Sequence, residues 1–217
     1  MILTPEKRFL ASIDCELRVK KNDDGVRTII GYAAKFGKIS QDLGGFREII
    51  DPKAFEKVVN SADVRGLKNH DPGQLLGRTK SGTMRLTTDE TGLRYEIDIP
   101  NTQIGRDLVT EIERGDIDGS SFSFTTEADG WDETTNPPTR TLYSVRDLFD
   151  VGPVTYPAYL DTEASVRMFL HHQEARAQER QREEESRKEL AVAAARVRRQ
   201  QLLKVRLMFP HLTGVNS

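Results

Sequence analysis

The chain has 217 residues, 36% of them hydrophobic and 30% charged, with a formal net charge of -2. That balance is too polar for one compact globule of this size, so the excess polarity belongs in an extended segment, and the near-neutral total gives no global reason to expect nucleic acid as a partner. No apolar run reaches the length of a membrane span, the opening Met-Ile-Leu-Thr-Pro-Glu-Lys-Arg sets acid and base where a signal peptide needs apolar residues, and the single cysteine, Cys15, excludes an internal disulfide, which together read as an intracellular chain.

Residues 12–20 alternate, with Ile13, Cys15, Leu17 and Val19 on one face, and predict a strand. Asn22-Asp23-Asp24-Gly25 is a turn signal, and residues 26–36 read as the return strand of a hairpin. A glycine-rich loop over 37–47 leads to Asp51-Pro52, an N-cap with proline at the first helical position, and to a short helix with Phe55, Val58 and Val59 on its apolar stripe. Residues 67–76 predict a strand end, a tight turn at Pro72-Gly73 and a new strand. Residues 83–87 and 93–99 form a hairpin, with Leu93, Tyr95, Ile97 and Ile99 sharing a face. Ile104, Leu108 and Ile112 recur every four residues, so 102–114 is an amphipathic helix stopped by Gly115. Ser120-Ser121-Phe122-Ser123 opens a strand over 120–126, a polar loop spans 127–140, and a strand over 142–154 ends in Gly152-Pro153.

From about His171 the composition changes to Gln, Glu, Arg and Ala, with no glycine before Gly214, which is helix-forming and has no strand pattern. Residues 174–189 mix both charge signs, whereas 190–206 carry Arg196, Arg198, Arg199, Lys204 and Arg206 without an acid, and an apolar Leu207-Met208-Phe209 follows. The chain therefore divides into a folded domain over 1–170 and a charged helical tail over 171–217. The tail reads either as a solvated helix or as a docking segment.

Three of the four histidines (His171, His172 and His211) lie in the tail, leaving His70 alone in the folded part. One core histidine and one cysteine argue against a zinc site, and Gly73, Gly77 and Gly82 have neither the Walker nor the dinucleotide spacing. What remains is Ser/His or acid/base chemistry. If Phe122 and Phe124 face the core, Ser121 and Ser123 face away from it, while Ser120 shares the side of the phenylalanines. On the next strand Phe149 and Val151 should face inward, which puts Asp150 on the side of the serines and Asp147 on the apolar side with Val145. Serine, histidine and aspartate so disposed have the chemistry of a hydrolytic triad. The plain alternative is the solvent face of a half-buried strand. A cysteine hydrolase built on Cys15 is disfavoured because Cys15 shares the apolar face of Ile13 and Leu17.

Three segments together resemble the prohead, or capsid maturation, serine proteases of tailed phages, a family related in fold to the herpesvirus assembly protease. Asn69-His70-Asp71 with Leu76-Gly77-Arg78 resembles the family's histidine motif. Arg114-Gly115-Asp116 with Gly119-Ser120-Ser121-Phe122-Ser123-Phe124 resembles its nucleophile motif. Asp150-Val151-Gly152-Pro153-Val154 with Tyr156-Pro157-Ala158-Tyr159 resembles its third motif, with Gly152 where many relatives carry a serine. The resemblance covers roughly residues 8–170.

The resemblance implies an α+β fold: an antiparallel β-barrel surrounded by helices, herpesvirus-protease-like, followed by the charged helical tail. It implies a serine endopeptidase with Ser121 as nucleophile and His70 as base. The herpesvirus relatives use a second histidine as third member; none is present here, and Asp150 takes that place by strand facing, with Asp147 and Asp71 as alternatives. The implied substrates are the scaffolding portion of the major capsid protein and the protease itself, inside the procapsid in the host cytoplasm, without metal, cofactor, membrane or direct nucleic-acid role. The rival from another class is a non-catalytic scaffold protein of the procapsid.

Overall fold

The longest regular feature is a hairpin of two strands of 14 and 16 residues, and the rest of its sheet is assembled around it. The computed structural model describes residues 5–10, 12–21, 25–156 and 162–208. In chain order the elements are β1 (Glu6–Leu10), α1 (Ser12–Cys15), β2 (Arg18–Lys21), β3 (Arg27–Lys35), β4 (Arg47–Ile50), β5 (Arg65–Leu67) and β6 (Leu75–Arg78), then β7 (Met84–Thr88), β8 (Gly92–Asp98), α2 (Gln103–Glu113), β9 (Gly119–Asp132), β10 (Thr139–Val154) and α3 (Thr162–Met208). They divide into two compact units, Met1–Phe169 and Leu170–Ser217.

The first unit holds two sheets. One has six strands in the order β1-β9-β10-β5-β6, with β4 also on β10; the other has four, in the order β2-β3-β8-β7. The expected closed antiparallel barrel is not what forms. Among the described residues the two sheets remain separate, and β4 and β5 both run parallel to β10. The sequence reading missed this because parallel pairs join segments distant in the chain, where alternation carries no pairing information.

One apolar core lies between the sheets. Phe122, Phe124, Leu142 and Val151 come from the larger sheet, Ile29, Ala33, Leu93, Tyr95 and Ile97 from the smaller, and Leu108 and Ile112 from α2. Phe122 stacks on Phe124 with centroids 4.9 Å apart and meets Phe55 edge-on at 5.4 Å. Burying each ring is worth roughly 2–3 kcal/mol, so a one-residue slip of β9 would exchange these rings for serines and is strongly disfavoured.

Helix α2 forms as its pattern predicts: the Thr102 hydroxyl caps it by accepting the Gly105 N–H, Leu108, Val109 and Ile112 are buried, and Gly115 ends it at a φ of 78°. Elsewhere local pattern is overruled. Residues 12–20 do not make one strand; α1 and then β2 form instead, separated by Glu16 at a φ of 49°. The segment after Asp51 is a succession of turns rather than a helix, although the Asp51 carboxylate does accept the Lys53 N–H and Phe55 and Val58 are buried. The loop expected over 37–47 gains a bridge from Ile39 to Ile49 and ends in β4. The polar loop expected over 127–140 shrinks to residues 133–138, because β9 and β10 run on past the core and pair with each other. The turn at 22–24 and the segment 157–161 lie outside the described residues.

Helix α3 begins at Thr162, before the composition changes. Its first turns belong to the first unit: Phe169 packs at 5.8 Å from the rings of both Phe46 and Trp131, and Val166 lies over Gly44. In the second unit Leu190, Val192, Val197 and Leu203 are all exposed. Phe169→Ala should therefore lower stability in urea by about 1–2 kcal/mol, while Val192→Ser should change it by less than about 0.5 kcal/mol. Equal effects at the two positions would contradict this packing.

Candidate active site

The first half of strand β9 lies between β1 and β10, so Ser120, Ser121 and Ser123 are interior to the sheet. Ser120 faces the core side, and its hydroxyl shares a 2.7 Å hydrogen bond with Tyr95 of the facing sheet. Ser121 and Ser123 face the other way, as alternation predicts, yet that side is not solvent-exposed: Ser121 is 0% and Ser123 5% exposed. The turn between β5 and β6 reaches Ser121 through His70, a long-range contact that alternation cannot report.

That turn carries His70. Asn69 and His70 both adopt left-handed backbone, with φ of 56° and 57°. Each such residue costs on the order of 1 kcal/mol, and the pair reverses the chain so that the imidazole points back over the sheet. Nε2 lies 2.6 Å from the Ser121 hydroxyl oxygen and Nδ1 lies 2.5 Å from Asp150 Oδ1. The Phe9 ring stands edge-on to the imidazole at 5.8 Å.

Of the three acids considered, Asp150 is the one bonded to His70. Asp147 accepts the Thr125 hydroxyl at 2.7 Å, and Asp71 closes its own turn by accepting the Gly73 N–H at 2.8 Å. Two of the four register shifts between β9 and β10 alter the expected facing. The register shifts between Val145 and Asp147, which turns Asp147 to the side of Thr125 instead of the apolar side. It shifts again between Leu148 and Asp150, so Leu148 takes the core position and Phe149 is 40% exposed rather than inward. Val151 is buried and Asp150 keeps the serine side. Arg78 is bound through its guanidinium to Asp63, on the far side of the turn in sequence. Cys15 is buried with its thiol donating to the Asp118 carbonyl, and burial pushes its pKa up, the setting of an inert cysteine.

Ser121 has a further partner. Its hydroxyl oxygen is 2.8 Å from the carbonyl of Arg8, because β1 pairs with β9 so that Phe9 stands opposite Ser121. The hydroxyl has one proton. With Nδ1–H donated to the Asp150 carboxylate, Nε2 is an acceptor and competes with the Arg8 carbonyl for it.

Arg8 is itself held in a buried charge network absent from the sequence reading. Its guanidinium bonds Glu48 at 2.6 and 2.9 Å and Glu6 at 2.7 Å. Arg140 bonds Glu6, Glu48 and Asp129, and Thr126 joins Arg140 to Glu6. The only local signal is the presence of Glu6, Arg8, Glu48 and Arg140 within otherwise strand-forming segments.

A hydroxyl, an imidazole and a carboxylate in one hydrogen-bonded row can generate a nucleophile and shuttle its proton, the chemistry of serine hydrolases. The chain belongs to the caudovirus prohead serine proteases: that family's model matches residues 15–177. It is thus a serine peptidase of phage capsid maturation. Among solved structures the chain is similar to the capsid assembly protease gp21 of bacteriophage T4, at 13% identity and a TM-score of 0.44, over 69% of this chain and 98% of that one. No curated protein sequence matches.

The network gives a pH test. Burial alone would raise the Glu6 pKa, but the guanidiniums of Arg140 and Arg8 outweigh it and hold the group down from 4.5 to about 2. Glu6 therefore stabilises the fold above its ordinary pKa and ceases to as pH falls toward 2, a loss of roughly 3 kcal/mol. The stability gap between wild type and Glu6→Gln, measured in urea, should be wide at pH 6 and narrow between pH 4.5 and 2. A gap independent of pH would contradict the assignment.

Proposed function

We propose that Ser121 is the nucleophile, His70 the general base and Asp150 the orienting acid of an endopeptidase. In this reading the enzyme cleaves the scaffolding portion of the major capsid protein, and its own tail, inside the procapsid in the host cytoplasm. The observation that carries it is the continuous row Asp150–His70–Ser121, with contacts of 2.5 and 2.6 Å. The kinship in fold with the herpesvirus assembly protease belongs to the same reading and is supported by the order of the three motifs.

The reaction begins when Ser121 gives up its bond to the Arg8 carbonyl and its oxygen attacks the scissile carbonyl. His70 takes the hydroxyl proton on Nε2, and Asp150 stabilises the resulting imidazolium through Nδ1–H. The tetrahedral intermediate collapses, the carbon–nitrogen bond breaks, and the proton passes from Nε2 to the leaving amine. Water then repeats the sequence on the acyl-enzyme and releases Ser121.

Ser121→Ala and His70→Ala should each reduce cleavage of the cognate capsid protein by at least about 10³-fold, and Asp150→Asn by a similar factor through the wrong imidazole tautomer. Ser123→Ala and Ser120→Ala should keep part of the activity. Because Ser121 is buried and bonded to Arg8, Ser121→Ala should also shift stability by about 1 kcal/mol. A fluorophosphonate should label Ser121 alone by peptide mapping. Full activity in Ser121→Ala, or labelling on Ser123, would overturn the reading and favour a scaffold role or another nucleophile.

The tail over residues 171–217 would recruit the enzyme to the assembling shell and be cut during maturation. Among its described residues the exposed Leu190, Val192, Val197 and Leu203 and the basic run over 196–206 support contact with an acidic partner. A chain ending at Phe169 should still label with fluorophosphonate but be depleted from procapsids at least tenfold. Packaging at the full-length level would remove the recruitment role.

A further inference from the structure

We propose that Asn69 is a positioning residue that holds His70 over Ser121 by continuing the β5–β10 pairing with its side chain, an inference that rests on the triad reading above. The regular parallel pairing of β5 with β10 covers only Arg65 with Asp150 and Gly66 with Val151. Beyond it the chain must leave the sheet to form the turn, and Asp71, Pro72 and Gly73 at its tip are exposed. Two successive left-handed residues at the base of an exposed turn are costly, so some local interaction has to hold them.

Asn69 makes three bonds to the end of β10. Its backbone N–H donates to the Pro153 carbonyl at 3.0 Å. Its side-chain oxygen accepts the Thr155 N–H at 2.8 Å, and its side-chain nitrogen donates to the Thr155 hydroxyl at 3.1 Å. The amide thus presents one acceptor and one donor to Thr155, as a neighbouring strand's peptide group would. Asparagine suits the position twice, since it tolerates left-handed backbone and carries both groups on a short stem.

Gly152 sets the stand-off of the same turn. It pairs with Ser121 across the β9–β10 ladder, and a Cβ there would lie 2.1 Å from the Leu67 carbonyl oxygen. Strand β10 therefore fixes the serine by its pairing and the histidine turn by its close approach to Leu67 and its bonds to Asn69. Shifting the turn by 1 Å would break the 2.6 Å contact between Nε2 and the serine.

The test is fluorophosphonate labelling of the full chain, resolved into the maximal labelling rate and the half-saturating concentration, beside unfolding in urea and the downfield NMR resonance of the His70 Nδ1–H. Asn69→Ala should lower the maximal rate 10- to 100-fold, leave the half-saturating concentration within about threefold, and broaden or shift the downfield proton. Asn69→Gly keeps the left-handed backbone accessible and removes the amide, so it should behave as Asn69→Ala does; it also serves if the alanine variant fails to fold. Thr155→Val should give a smaller loss, and Asn69→Asp, which keeps the acceptor, an intermediate one. Ser121→Ala must be unlabelled in the same assay. If it is labelled, the triad reading fails. If it is silent while Asn69→Gly labels within twofold of wild type with an unshifted Nδ1–H, the triad stands and the positioning role is refuted.

Discussion

A single imidazole has to span from a carboxylate on one strand to a hydroxyl on its neighbour, and the antiparallel pairing of β9 with β10 is what sets that span. Ser121 stands opposite Gly152, and Asp150 opposite Ser123, so the two partners of His70 are held by the same ladder. Phe122 and Phe124 fix the facing of β9 by their burial, and the facing of β9 decides which serine can meet the ring. The core and the site are for this reason one problem: the hydrophobic term that orders the sheet also decides which serine hydroxyl meets the imidazole.

The charge network shows the opposite balance. Glu6, Arg8, Glu48 and Arg140 are each less than 9% exposed, and taking four ions out of water costs more than their attraction returns unless every lone pair and proton is used. Here each of the buried atoms is at least partnered, since among the described residues no buried side-chain nitrogen or oxygen lacks a hydrogen bond. What the network provides is specification. It joins β1, β4, β9 and β10, elements up to 134 residues apart, in one register, and the Arg8 carbonyl reaches Ser121 only in that register.

Period-two and period-four patterns made β8, α2 and the facing of Phe122 legible, because each is decided by a few neighbouring residues burying one side. The same alternation put Ser121 and Asp150 on one side of the sheet. Three things escaped it. The register shifts beside Asp147 and Phe149 in β10 left no mark in the sequence, so Phe149 read as inward and Asp147 as apolar-sided when neither is. The parallel pairings of β4 and β5 depend on contacts remote in the chain, so two sheets read as a barrel. The covering of Ser121 depends on a turn from a different part of the sheet, so a buried serine read as exposed.

That burial has a kinetic meaning. A hydroxyl that is 0% exposed and bonded to its own chain's Arg8 carbonyl cannot receive a peptide in this conformation. With Ser121 as the proposed nucleophile, turnover requires the serine to be uncovered, and the observed rate is then the chemical rate multiplied by the uncovered fraction. Every 1.4 kcal/mol by which a surrounding changes that opening equilibrium would alter the rate about tenfold, with no change in Ser121, His70 or Asp150 themselves.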